Sequence, residues 1–492
     1  MLMNATKTVK PNTYDLVIII TIQCFLLIAL ILFRFLYEPF NYQPESLIYP
    51  FCCILCGLTI WSFWSWYLLT KSLFNPYTLF LLSAFLFNAG QAMLEIFHLN
   101  ENGLGNWYLT LDVPSLSSDT LLNTIFLVII GFGAFHLGAL ISLATFKVKH
   151  PIQSTHTNDR YCYVIGSRLL CISFLPAIVV LKETITYVMS SGYSSLYQQE
   201  SATSFNAAPQ VLADFIIPSS LFLLAGSKHK PQGRLISVSI IILYAIVRFF
   251  SGERNQAVMP LIALAWLWHQ VIKPIPKTFL ISIGSLILFI IFPLVAITRN
   301  TVGEDRLSID FLLEAFSSID NPFIASISEM GASMLTVAYT LQIVPRDREF
   351  QMGADYFYAL FTLIPNIFGK LHPSVARGLP NHWLTEQLNP YTAAMGGSYG
   401  FSFIAEAYLN FGWIGTPITL GIIGFLYIKL MLWANTSCDH AKMAMLASFI
   451  SFFLFYARAE SAMVVRPLVW YSLIPYIGVC WLNNSELKRL RK

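Results

Sequence analysis

The stretch GGSYGFSFIAEAYLNFGWIG, Gly396 to Gly415, sets a carboxylate, Glu406, and an amide, Asn410, at the start of an apolar run. On a helix, Ser402, Glu406 and Asn410 form one stripe, because positions four apart share a face. A carboxylate in that setting either takes a proton from a hydroxyl or pairs with an arginine and locks the loop to its neighbours. A second stretch, RFFSGERNQ (Arg248 to Gln256), ends one helix on Arg248 and begins the next at Arg254. A cation at a helix N-terminus opposes the helix dipole, at a cost of a few tenths to about 1 kcal/mol. A bound anion offsets that cost; a local pair between Glu253 and a neighbouring arginine is the plainer alternative. A third, YARAESAMVVRP (Tyr456 to Pro467), packs Arg458, Glu460 and Arg466 into a turn that also reads as an ordinary solvated loop. A fourth, KLHPSVARGLPNHWLTEQ, carries His372, Arg377 and His382. Histidine accepts protons near neutral pH, although a loop histidine is more often structural. Arginine's planar fork grips phosphates and carboxylates through paired hydrogen bonds.

The elements that must position these residues are membrane helices. The chain of 492 residues is 56% hydrophobic and 11% charged, with mean hydropathy +0.62, whereas a soluble domain is about 25% charged. Apolar runs long enough to cross a bilayer recur along it. Hydropathy gives an all-α, polytopic membrane protein with about twelve spans: Asp15–Leu36, Leu47–Thr70, Tyr77–Phe97, Leu121–Ala144, Tyr163–Leu181, Leu212–Gly226, Leu235–Phe250, Ala257–Val271, Phe279–Ile297, Gly412–Trp433, Met443–Tyr456 and Leu468–Trp481. The first reads as a retained helix, too long for a signal-peptide core. Lysines, among them Lys71, Lys228, Lys230, Lys273, Lys277, Lys429 and Lys442, mark the cytoplasmic turns and place both termini inside. Arg34, Arg248, Arg254, Arg299, Arg306, Arg346, Arg348, Arg377, Arg458 and Arg466 map to the other side. An external anion site explains that sorting better than ten separate snorkelling residues.

The chain divides into an N-terminal bundle (1–297), a large external loop (298–398) and a C-terminal bundle (399–492). Two apolar pieces of the loop, Ile324–Val344 and Ala354–Phe368, read as surface helices or a re-entrant pair; if both span, the count rises by two. The eight cysteines avoid the external loops, so no disulfide framework is expected. No Walker loop and no HExxH motif is present, so neither metal nor cofactor is expected. The net charge of +4 gives no argument for nucleic acid. The spanning helices nearly lack acids, which argues against an ion-coupled transporter.

GGSYGFSFIAEAYLNFGWIGTP followed by an apolar helix, and RFFSGERNQAVMPLIALAWLWH, resemble the Wzy-type O-antigen polysaccharide polymerases. The long loop between the two motifs fits that plan. The resemblance implies a bacterial inner-membrane glycosyltransferase, similar in architecture to GT-C-type lipid-linked sugar transferases, with its active site on the periplasmic face. Its substrate would be oligosaccharide repeat units carried on undecaprenyl pyrophosphate, and a Wzz-type chain-length regulator would be its partner. On that reading Arg248, Arg254, Arg377, Arg458 and Arg466 bind pyrophosphate, and Glu406, His372 or His382 takes the hydroxyl proton. Asn410, Tyr399 and Tyr408 would contact the sugars, although tyrosine and tryptophan also form interfacial belts. An O-antigen ligase and a flippase for lipid-linked sugars are the competing readings.

Overall fold

Asparagine followed by proline opens three of the helices. The residue before proline is held extended, the asparagine side chain caps the free N–H groups, and proline suits the first helical position. Asn75 accepts from the Thr78 N–H, Asn321 from Phe323 and Ile324, and Asn389 from Thr392. The structure, a computed structural model, describes residues 12–37, 43–100, 103–106, 111–146, 157–193, 196, 204–303, 308–366, 369–436 and 439–490. The expectations for Lys7, Lys10, Arg306, Cys438 and the extreme termini lie outside the described residues.

In chain order the helices that matter here are α1 (Thr13–Tyr37), α2 (Pro44–Thr70), α3 (Pro76–Ile96), α4 (Ser118–Thr145), α5 (Thr157–Ser191), α6 (Ser204–Ala213), α7 (Ile216–Ala225), α8 (Pro231–Phe250), α9 (Arg254–Val271) and α10 (Lys277–Thr298). After them come α11 (Ile309–Ser317), α12 (Pro322–Gly331), α13 (Met334–Ile343), α14 (Ala354–Ala359), α15 (Pro373–Arg377), α16 (Pro380–Leu388), α17 (Pro390–Ala394), α18 (Phe403–Asn435), α19 (His440–Arg458) and α20 (Ala462–Glu486). No strand occurs among the described residues.

Ten helices there are long and apolar enough to cross a membrane, fewer than the twelve read from hydropathy. Two expected spans fall short for physical reasons. The Leu212–Gly226 run is broken at Asp214 and Phe215, which separate α6 from α7. In α9, Arg254, Asn255 and Gln256 at one end and His269 and Gln270 at the other dilute the apolar centre.

The centre of the bundle is α4, whose most apolar stretch is 89% buried inside the protein, against 22% for α1. Exposed Val17, Ile18, Phe25, Ile28 and Leu32 along α1 suit a lipid environment. Helices α4 and α18 pack at backbone distance. A Cβ built on Gly138 would stand 1.9 Å from the Gly421 carbonyl oxygen, so only small residues allow this approach.

The long loop does not simply cover the surface. Helix α12 packs on α3, and α13 packs on α4 and α18. Met334, Val337 and Ala338 are fully buried there. Hydropathy had shown these pieces to be apolar; it could not show that protein rather than lipid covers them.

Helix length sorts the charges. Arg254 and Lys273 stand at opposite ends of α9, and Lys277 and Arg299 at opposite ends of α10. At 1.5 Å per residue those ends are roughly 25–30 Å apart. In these two helices arginine and lysine therefore stand at opposite ends, whereas α8 carries Arg234 at its lysine end and Arg248 at the other.

The backbone leaves helical geometry at Gly412 (φ 61°, ψ −159°), a region open to glycine alone. The kink separates a short arm, which carries Glu406 and Asn410, from the apolar length of α18. A Cβ at Gly412 would also meet the Phe350 ring at 2.9 Å. Gly412→Ala is expected to destabilise the protein by about 1–3 kcal/mol, read as a lower midpoint of thermal unfolding in detergent.

Candidate functional site

Two groups of charged residues meet at the arginine end of the bundle. The first is built around Glu329 on α12. Arg254, at the N-terminus of α9, grips it with both terminal nitrogens, Nη1 at 2.8 Å from Oε2 and Nη2 closer still to Oε1. Arg254 Nη1 also donates to the Phe292 carbonyl oxygen at 3.1 Å. Arg299, just past α10, lies 3.8 Å from the same carboxylate. Arg458, at the end of α19, belongs electrostatically to this group and has its guanidinium 5.8 Å from the Phe87 ring centroid. Burial alone would raise the Glu329 carboxyl. The hydrogen bonds and charge of Arg254, then the charges of Arg299 and Arg458, outweigh burial and hold it below the ordinary carboxylate value. Two guanidinium groups within reach of one carboxylate, with the charge of Arg458 also acting on it, leave the group with an excess of positive charge suited to an anion such as a diphosphate diester.

The polar face of α3 supports this group from behind. Ser83 Oγ donates to the Leu454 carbonyl at 2.7 Å, Asn88 Nδ2 to Ala457 at 2.8 Å, and Gln91 Nε2 to Ser328 at 2.8 Å. Asn88 also receives the Ser402 hydroxyl at 2.6 Å. One helix face thus holds the turn that carries Arg458, the helix that carries Glu329, and the cap of α18. Gly400 lets Arg458 pass: with φ at +77° and Arg458 Nε 3.1 Å from where a Cβ would sit, a larger residue does not fit.

The second group lines a narrow crevice, with room for about one water molecule, formed by Asp355, Tyr358, Ser374, Arg377, Glu406 and Glu460 among others. Glu406 is 1% exposed. Its two oxygens accept from the Tyr456 hydroxyl (3.0 Å), the Ser461 hydroxyl (2.6 Å) and the Ser461 N–H (2.9 Å to each). No arginine pairs with it among the described residues, so the arginine lock weighed as an alternative is not formed. The carboxylate holds the Ala459–Ser461 turn instead.

Asn410 is likewise occupied. Its amide donates to Asp355 Oδ2 at 3.0 Å, and its oxygen accepts from the Asp355 N–H at 3.3 Å. Asp355 Oδ1 receives Arg377 through Nε (3.1 Å) and Nη2 (2.8 Å), and Arg377 also reaches Gln351. The motif arm, α14 and α15 are therefore stitched together beside the crevice. Glu460, 2% exposed, has one carboxylate oxygen, Oε1, without a hydrogen-bond partner. Burial and the neighbouring Asp355 push its carboxyl up to about 7.

The remaining sequence candidates are dispersed. Arg248 pairs with Glu253, the local pair weighed for that turn, and lies over Tyr244. Arg466 donates to the Thr362 carbonyl at 2.7 Å; it and Arg248 stand near Asp214, away from Glu329. The Tyr399 hydroxyl holds the Leu111 carbonyl (2.9 Å) and that of Tyr408 the Val344 carbonyl (3.3 Å). His372 is buried, with Nε2 3.2 Å from the Ile364 carbonyl oxygen, and it does not line the crevice. His382 is exposed on α16.

Sequence reasoning missed Glu329, Asp355 and the α3 stripe. Each of the two acids is a lone carboxylate in an apolar run, the same signal that singled out Glu406. His136 was also passed over. It is buried in α4 between the Tyr77 hydroxyl (2.5 Å) and Ser65 Oγ (2.9 Å), where it ties α2, α3 and α4 together. Among the described residues no set of His, Cys, Asp and Glu side chains could hold a metal ion.

Fold and site define a multi-pass, all-helical membrane protein whose polar chemistry gathers at one end of its bundle. The chain belongs to the O-antigen polysaccharide polymerase Wzy family, whose model matches residues 16–489, nearly its whole length. No curated protein and no solved structure matches it. The resemblance carried by the GGSYG and arginine-turn motifs is thereby established, and with it a general role in O-antigen polymerisation.

Proposed function

We propose that the protein joins undecaprenyl-pyrophosphate-linked oligosaccharide repeat units into surface polysaccharide at the periplasmic face of the inner membrane. The architecture is of the GT-C kind, both termini are cytoplasmic, no metal takes part, and a Wzz-type regulator sets chain length. One observation supports this above the others: Arg254 and Arg299 both lie within ion-pair distance of the single carboxylate Glu329 at the arginine end of the bundle, and the charge of Arg458 acts on the same carboxylate. Arg254, Arg299 and Arg458 would hold the diphosphate of the donor. In the reaction an acceptor hydroxyl oxygen bonds to the donor's anomeric carbon, and the carbon–oxygen bond to the diphosphate breaks. The departing lipid diphosphate takes the electron pair, and fixed guanidinium charge stabilises it as it forms. The hydroxyl proton passes to a carboxylate and then to water.

A strain deleted for this gene is expected to display lipopolysaccharide core bearing a single repeat unit, read on a gel of surface polysaccharide. Absence of any transferred unit would indicate a ligase instead. Carrier-linked units trapped on the cytoplasmic side would indicate a flippase.

A further inference from the structure

Three carboxylates line the crevice, and they differ in what they are free to do. Asp355 is held by Arg377 and Asn410. Glu406 accepts hydrogen bonds on both oxygens from Tyr456 and Ser461. Glu460 alone of the three presents a buried oxygen, Oε1, that nothing among the described residues satisfies. An unpaired buried carboxylate oxygen is costly to a fold. The cost is understandable where a ligand hydroxyl supplies the missing donor.

We propose that Glu460 is the catalytic base: its Oε1 receives the acceptor sugar's hydroxyl in the crevice and takes that proton as the hydroxyl oxygen attacks the donor. This rests on the transfer reaction described above and names the acceptor side of it. Placement supports the assignment. Arg458 and Glu460 flank Ala459, which is extended (φ −145°, ψ 177°), so their Cα atoms are at most about 7 Å apart. One turn then delivers a guanidinium to the diphosphate site and a carboxylate to the acceptor crevice. Glu406 and Asn88 fix that turn from opposite sides, through Ser461 and Ala457. The charge balance is closed: the carboxylate takes one proton, the glycosidic bond forms, the lipid diphosphate leaves with the bonding pair, and the carboxyl returns its proton to water.

Around Glu460 stand Asp355, Tyr358 and Arg377 from the loop helices and Glu406 from α18, with Arg458 two residues before it in the chain. Burial and Asp355 place its protonation near neutrality, at about 7. Its basic form is lost as pH falls through that value. Transfer by the wild type is therefore expected to fall about tenfold per pH unit below about 7 and to level off above it.

The test uses full-length protein in nanodiscs and, as substrate, the lipid-linked single units extracted from the deletion strain. Undecaprenyl diphosphate is the binding probe. Glu460→Gln is expected to lose about 100-fold to 10,000-fold in transfer, keep wild-type binding of undecaprenyl diphosphate, and lose the inflection near pH 7. Glu460→Asp, which keeps the carboxylate on a shorter arm, should retain measurable transfer together with a pH inflection. Wild-type transfer by Glu460→Gln, or an unchanged pH profile, overturns the assignment and leaves the polymerase reading intact. If Glu460→Gln does not accumulate, the decision falls to Glu460→Asp and the wild-type profile: no inflection in either overturns the assignment. Failure of the wild type to bind undecaprenyl diphosphate or to extend the single units overturns the polymerase reading itself.

Discussion

Arg254→Ala is expected to cut polymerisation by about 100-fold to 1,000-fold, the usual loss when a fixed donor to developing charge is removed. Cells carrying it should display core with single units while the protein still inserts. The competing account is structural, since Arg254 clamps Glu329 and so pins α12 to α9. Rate alone does not separate the two, because Arg254 is only a tenth exposed and breaking a pair that buried also disturbs the fold; ligand binding does. Glu329→Gln sharpens the contrast. It keeps the side chain's size and removes the resident negative charge that a diphosphate would have to displace. If the arginines serve a ligand, Glu329→Gln should bind undecaprenyl diphosphate more tightly than wild type, with steeper salt dependence. If the pair serves only the fold, Glu329→Gln and Arg254→Ala should fail alike. Arg254→Lys should also be impaired, because an ammonium loses the paired geometry of the fork.

Much of the architecture was legible because a bilayer imposes simple rules. Apolar length gives spans, and glycine marks places where a helix can bend or end. The sorting of Arg254 from Lys273 and of Lys277 from Arg299 followed from charge alone. What hydropathy could not supply was the partner surface. The run at Ile324–Val344 looked like a membrane-surface piece, yet its core is protein. The same blindness concealed the site. Arg254 was visible because it opens a helix, where a cation opposes the dipole, and Arg458 because it belongs to a charged turn. Glu329 and Asp355 sit within runs scored as apolar, and only tertiary packing brings them to their arginines. Arg248 was legible as a residue, and the alternative weighed for it, a local pair with Glu253 five positions on, is the one the structure shows.

The sequence reads Glu406 as a base or an arginine partner; in the structure both its oxygens hold the Ala459–Ser461 turn. Glu406→Ala is expected to abolish polymerisation, because it leaves the Ser461 N–H and hydroxyl and the Tyr456 hydroxyl facing an empty, buried space. Each unsatisfied buried donor costs about 1–3 kcal/mol, so accumulation in the membrane should fall as well. Glu406→Gln preserves the shape and one good acceptor for Ser461, while its amide can donate to the hydroxyls. If Glu406 positions the turn, Glu406→Gln should retain a substantial fraction of transfer and the wild-type pH inflection, with stability close to normal. A base in the reaction would behave otherwise: glutamine there would be as inactive as alanine, and the inflection would vanish. The two glutamates therefore make opposite forecasts for the same chemical change. Gln at 406 should spare the pH profile and Gln at 460 should erase it, and that pairing separates the residue that aims the turn from the one that takes the proton.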